Sequence, residues 1–205
     1  MSTLIGRSLS TRAIHGHSLK DAHGSPHIPI YNTSTFAFDS TADVLDVVEG
    51  RKTGSLYTRY GLNPSIMALE ETLAGIEGAE MAWAFCSGMA AEVSLFLAHG
   101  RDGIICIGDA YGGTLELLGT QLPQLGIKTH LILGSELDQL DALLATGAKL
   151  VFFETPTNPT LELLDIRSIV ETAHRRGALV AVDNTFASPV NQCPLELGAD
   201  FVIHS

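Results

Sequence analysis

Positive charge is scarce in this chain. Lys and Arg number 12 against 23 Asp and Glu, a formal net charge of −11 over 205 residues. A surface of that sign repels phosphate backbones and anionic lipid, which argues against nucleic-acid or membrane partners and for a small molecule. Cysteine is scarce too. Cys86, Cys106 and Cys193 are odd in number and widely spaced, with no Cys-x-x-Cys pair, so neither a disulfide framework nor a zinc site is indicated, and a reducing compartment fits. No apolar run approaches ~18 residues and no signal-peptide hydrophobic region opens the chain, so the expected location is cytoplasmic. No Gly-x-Gly-x-x-Gly follows a strand-like run, which removes a dinucleotide fold. His15, His17, His23 and His27 crowd the N-terminal stretch, but no Cys or carboxylate completes a recognisable ligand spacing, so no metal is expected.

What the chain does have is apolar residue, 45% of the total, enough for a substantial core. From about Ala79 onward short apolar runs alternate with amphipathic ones. The runs 81–86, 103–107, 128–133, 149–154, 179–183 and 201–204 read as strands. Between them 89–98, 114–124, 136–145 and 165–176 read as helices, with Gly100, Gly126, Gly147 and Gly177 as stops. This βα series predicts an α/β fold, a mainly parallel sheet with helices on both faces. The first ~60 residues are turn-prone and lack a sustained period, so residues 1–60 are expected to form an arm and residues 61–205 the domain proper. A helix is predicted over 64–76, with Pro64 in the first turn.

Three strand ends carry candidate chemistry. The run Ala178 to Thr185 places the Asp183 carboxylate at the carboxyl end of a buried strand, where ligands of open α/β sheets bind. There it could pair with a protonated pyridine nitrogen and hold the ring as an electron sink. At ~3 Å and an effective dielectric of ~20 the attraction is roughly 5 kcal/mol, comparable to the cost of burying the charges. The same Asp could simply cap the next loop. At Cys86-Ser87-Gly88-Met89 a strand-like run turns into a helix, so backbone N–H groups, the helix dipole and the Ser87 hydroxyl could receive a phosphate that Gly88 lets approach. After the next strand, Tyr111-Gly112-Gly113-Thr114 offers an aromatic face that could cover a planar ring.

Together with Tyr57-Thr58-Arg59, Asn63-Pro64, Leu69-Glu70, Leu73-Ala74, Glu154 to Pro159, Asp183-Asn184-Thr185 and Gly198-Ala199-Asp200 leading to His204-Ser205, these segments resemble the Cys/Met-metabolism family of pyridoxal enzymes, over essentially the whole chain and in order. That family includes cystathionine γ-synthases, cystathionine lyases, methionine γ-lyases and homoserine-ester sulfhydrylases. The resemblance implies pyridoxal 5'-phosphate as cofactor and the large domain of a type I, aspartate-aminotransferase-like fold. It implies that Gly88, Met89 and Ser205, with Ser87, hold the phosphate, that Tyr111 stacks on the ring and assists proton transfer, and that Asp183 pairs with the ring nitrogen. Asn158 would lie near the phenolic oxygen or the substrate. Tyr57 and Arg59 would reach the phosphate of a neighbouring subunit, making a homodimer the minimum active unit and a homotetramer the expected assembly. An arginine fork suits that contact.

The implied activity is γ-elimination or γ-replacement on sulfur amino acids or homoserine esters, with β-elimination on cystathionine as the alternative. Gly113 stands where methionine γ-lyases typically carry a cysteine, so the chain resembles that branch less. The family places its Schiff-base lysine three residues after the serine matching Ser205, and none of Lys20, Lys52, Lys128 or Lys149 stands in a matching position. The chain is therefore expected to be the first half of a protein roughly twice as long, inactive without the second half. Two other readings are weaker. Ser87, Asp183 and His204 follow the chain order of an α/β-hydrolase triad, but Phe85 and Met89 occupy the glycine positions of the nucleophile elbow. A truncated, noncatalytic protein that binds a full-length partner through its arm is the other.

Overall fold

Small polar side chains start the helices of the N-terminal part. Ser8 accepts from the Thr11 N–H at 3.3 Å and opens α1 (Leu9–His15), and Ser40 accepts from Asp43 N–H at 3.2 Å and opens α2 (Thr41–Val48). Asn63 does the same for α3 (Pro64–Glu77), accepting from Ser65 N–H at 2.9 Å, with Pro64 at a position where its missing N–H leaves no gap. The turn-rich composition predicted no helix before residue 60, yet α1 and α2 are there. They span 7 and 8 residues, two turns each, too short for a period to register.

The structure, a computed structural model, describes residues 6–205. They form two compact units, one ending at Ala84 and the other running from Phe85 to Ser205. In the first, Arg12 Nη1 donates to Gly75 O at 2.7 Å and ties α1 to α3. A short 3₁₀ turn, Thr58–Tyr60, is held by Thr58 N–H on Ser34 O at 2.9 Å.

The second unit runs α4 (Gly88–His99), β1 (Ile104–Ile107), α5 (Gly112–Glu116), a π-turn over Leu117–Gln121, α6 (Leu122–Gln124) and β2 (Thr129–Ile132). A 3₁₀ stretch, Gly134–Gln139, leads to α7 (Leu140–Leu144), β3 (Leu150–Glu154), α8 (Ile166–Arg175), β4 (Leu179–Asp183), α9 (Ser188–Asn191), a 3₁₀ turn Pro194–Leu197 and β5 (Phe201–Ile203). The five strands form one sheet, all parallel, in the order β2-β1-β3-β4-β5.

Alternation along each strand sorts the core into two layers. Ile105, Ile107, Val151, Phe153, Val180 and Val182 face one side, under Leu140 and Leu144 of α7 and Ile166, Ile169, Val170 and Ala173 of α8. Ile104, Cys106, Leu150, Phe152, Ala181 and Ile203 face the other, under Phe96 of α4 and Leu117, Leu118 and Leu122. Helices thus cover both faces, as the near-continuous apolar strands predicted.

Two expectations need correction. The run 81–86 forms no strand. It has the alternation of one, with Met81, Trp83 and Phe85 exposed, but among the described residues no ladder forms on it. The helix predicted over 114–124 starts earlier and breaks into α5, π-turn and α6, and Pro123, which has no N–H to continue the preceding helical ladder, stands in the first turn of α6. Gly100 ends α4 as expected, its N–H donating to Phe96 O at 2.8 Å, with φ at −97° and not in the left-handed region. A Cβ there would lie 2.5 Å from Ile104 Cδ1, so close approach accounts for this glycine.

Candidate cofactor site

Parallel pairing brings the carboxyl ends of all five strands to one edge, and the order β2-β1-β3 puts the topological switch point between β1 and β3. A cleft opens at that edge, lined by Gly88, Met89, Glu92, Tyr111, Glu154, Asn158, Asp183, Thr185, Phe186 and Ser205, with a volume of ≈ 160 Å³. An apolar cavity of ~150 Å³ accommodates one benzene ring. Six residues singled out from sequence, Gly88, Met89, Tyr111, Asn158, Asp183 and Ser205, therefore meet here from five separate segments.

Asp183 ends β4, is 8% exposed, and its Oδ1 accepts from Thr185 N–H at 2.8 Å. Thr185 Oγ1 in turn accepts from Ser205 N–H at 2.9 Å. Ser205 lies against Gly88, where a Cβ would come within 2.6 Å of the serine Cβ. Ser87 caps α4, its Oγ accepting from Ala90 N–H at 3.1 Å, and does not line the cleft. Behind the strand ends, buried Asn184 and half-buried Gln192 exchange hydrogen bonds at 2.9 Å, and Gln192 Nε2 also donates to Thr155 O, so the exits of β3 and β4 are braced together. Tyr57 and Arg59 belong to the N-terminal unit, where the guanidinium sits 5.2 Å from the Tyr57 ring centroid.

Two further acids were not singled out from sequence. Glu154 lies beside Asp183 in the β3–β4 ladder, so strand alternation turns both carboxylates toward α4. Glu92 stands one turn into α4, in line with Gly88 and Phe96 on its buried side. Both acids are buried, 5% and 3% exposed. Glu154 Oε1 accepts from Tyr111 N–H at 2.5 Å, and Glu92 Oε2 accepts from Thr114 Oγ1 at 2.6 Å. The sequence offered a lone acid in an apolar helix and a second strand-end acid, but not the register that sets Glu154 beside Asp183. Burial pushes Glu92 up to about 7, with the charges of Asp183 and Glu154 adding to it against the Thr114 hydroxyl. Burial also pushes Glu154 up to about 7, with Asp183 adding and the Tyr111 N–H opposing. The Cys106 thiol beneath them is pushed up to about 12, first by burial and then by the two glutamates, and stays protonated.

A pH dependence of stability follows. The unfolded chain sheds the Glu92 proton near its ordinary 4.5, whereas the folded chain keeps it to about 7. Between those values the folded state binds more protons, so stability falls as pH rises and stays at the lower level above 7. Glu92→Gln should leave the unfolding midpoint of cofactor-free protein nearly unchanged at pH 5 and raise it at pH 8. Equal shifts at both pH values in urea titrations would refute the assignment.

The lining of the cleft carries groups suited to both signs of charge. Glu92, Glu154 and Asp183 are three lining acids outside the ion pairs found among the described residues. Gly88 and Met89 of the first turn of α4 line it too, with Ser205, and there N–H groups and the helix dipole favour an anion. A flat molecule with a cationic ring atom and an anionic tail matches that charge pattern, and pyridoxal phosphate is one.

Comparison with known proteins agrees. The family model described as Cys/Met metabolism PLP-dependent enzyme matches residues 10–205. The chain belongs to that family. Its relatives include the O-succinylhomoserine sulfhydrylase of Pseudomonas aeruginosa, 37% identical over 100% of this chain and 51% of the relative. The cystathionine gamma-synthase of Mycobacterium tuberculosis is 42% identical over 96% of this chain and 49% of its own length. Among solved structures, the putative O-acetylhomoserine (thiol)-lyase of Campylobacter jejuni, which carries an N'-pyridoxyl-lysine-5'-monophosphate, superposes with a TM-score of 0.89 at 28% identity, covering 97% of this chain and 49% of that one. The chain thus spans about half the length of the Cys/Met-metabolism relatives it matches.

Proposed function

We propose that the protein carrying this chain is a pyridoxal-phosphate-dependent enzyme that performs γ-elimination or γ-replacement on sulfur amino acids or homoserine esters. The observation that carries this reading is the buried Asp183 carboxylate lining a ring-sized cleft that a helix N-terminus also lines. Gly88, Met89 and Ser205, with Ser87 capping the helix behind them, would hold the phosphate. Asp183 would hold a proton on the ring nitrogen, and Asn158 would orient the ring's phenolic oxygen or the substrate. The cofactor, when bound, supplies the electron sink that makes the Cα–H of an amino acid acidic. Tyr111, exposed at the mouth, would cover the ring, exclude water from one face and move a proton through its phenol oxygen.

The assembly is proposed to be a cytoplasmic homo-oligomer, with a dimer as the minimum active unit and a tetramer expected. Residues 1–60 would act as an arm that brings Tyr57 and Arg59 to the phosphate of a neighbouring subunit, and residues 61–205 would form the cofactor-binding part. None of the described helices is long and apolar enough to cross a membrane. Borohydride reduction of the intact natural protein followed by mass measurement tests the reading. A pyridoxyl adduct supports it, and an unmodified mass from protein saturated with the cofactor rejects it. Arg59→Ala should weaken cofactor retention about tenfold, the loss of a charge-assisted bidentate contact. Unchanged affinity in a spectral titration would remove the cross-subunit contact.

A further inference from the structure

Tyr111 poses a mechanical problem. It is 54% exposed, so core packing does not fix its ring, yet a ring that covers a cofactor must stand at a set height. The structure shows what fixes it. At one end its N–H is taken by Glu154 Oε1 at 2.5 Å, across the switch point from the last residue of β3. Three residues on, fully buried Thr114 is held by Glu92 of α4 at 2.6 Å. Between them the ring leans on Gly113, where an added Cβ would fall 2.8 Å from Tyr111 Cε1.

We propose that Glu154 is a positioning residue whose reach from the rigid end of β3, more than its charge, sets the Tyr111 ring over the cleft, with Glu92 anchoring the far end of the same segment. This rests on the reading of the cleft as a pyridoxal-phosphate site. Reach and charge separate in two conservative variants. Glu154→Gln loses the charge but keeps an oxygen at the same distance from the Tyr111 N–H. Glu154→Asp keeps the charge but withdraws that oxygen by one methylene.

Both variants would be made in the intact protein and followed by three readouts. These are amide exchange of residues 108–115 in cofactor-free protein, the circular dichroism of the bound cofactor, and the separate effects on kcat and KM. Glu154→Asp should expose the Tyr111 amide to exchange, change the cofactor dichroism and lower kcat about tenfold or more, since a misplacement of ~1 Å can cost ~10²-fold. Glu154→Gln should recover most of each loss. If Gln falls as far as Asp, charge governs and the proposal is overturned. It is equally overturned if Asp leaves amide exchange and dichroism unchanged. Parent protein that binds no pyridoxal phosphate would sink the functional reading instead, while the exchange measurement would still decide whether Glu154 holds the loop.

Discussion

Asp183→Ala in the intact protein is expected to lower turnover by about 10²-fold or more, the scale on which removal of one preorganised electrostatic contact acts in enzyme sites. The far-ultraviolet circular dichroism should not change. The side chain sits on the carboxyl edge of the sheet, and among the described residues it accepts from Thr185 N–H. Losing that bond costs about 1–3 kcal/mol, within the ~5–15 kcal/mol by which a domain is stable. Asp183→Asn sharpens the test. It keeps an acceptor for Thr185 and removes only the charge, so it should fail nearly as badly if pairing with a cationic ring is the role. Near-normal turnover in either variant would remove Asp183 from the mechanism. Neighbouring acids offer no substitute, because Glu92 and Glu154 are spent on Thr114 and Tyr111 and are both pushed up to about 7.

The sheet was legible because its strands are buried on both faces, so Leu150–Glu154 and Leu179–Asp183 announce themselves as apolar runs ending in an acid. The same rule misled at 81–86, where an alternating run has no ladder among the described residues. Periodicity describes a face to be covered and does not name what covers it. Short helices escaped for another reason. In α1 and α2 the caps at Ser8 and Ser40 carry the signal, and a lone serine is common in loops. Asp183 could be placed because it ends an apolar strand, and the phosphate side because Ser87 caps a helix that Gly88 and Met89 open, although no strand precedes it. Glu92 and Glu154 could not be weighed as easily, since their importance depends on meeting Asp183, and only register across β3 and β4 and the packing of α4 bring the three together.

Gly88 is where local and tertiary preferences can be made to disagree in one experiment. It is the first residue of α4, and Ala in a helix avoids a backbone-entropy penalty of up to about 1 kcal/mol. Gly88→Ala should therefore leave the helix intact or slightly favoured. In space, however, the new methyl would fall 2.6 Å from Ser205 Cβ and 2.7 Å from its Oγ, closer than non-bonded atoms approach. Ser205 cannot simply swing aside, because its N–H is held by Thr185 Oγ1, beside the residue that carries the site's acid. The strain must go either into the first turn of α4 or into the Asp183–Thr185 loop, and both are parts of the anion-binding side or its brace. Cofactor affinity is expected to fall about 10²-fold, in keeping with the sensitivity of bound geometry to shifts of ~1 Å. A spectral titration with pyridoxal phosphate, paired with a thermal unfolding midpoint, separates the two effects. A lowered midpoint with unchanged affinity would mean that the Gly88–Ser205 contact serves packing alone, and the phosphate would then have to be held elsewhere.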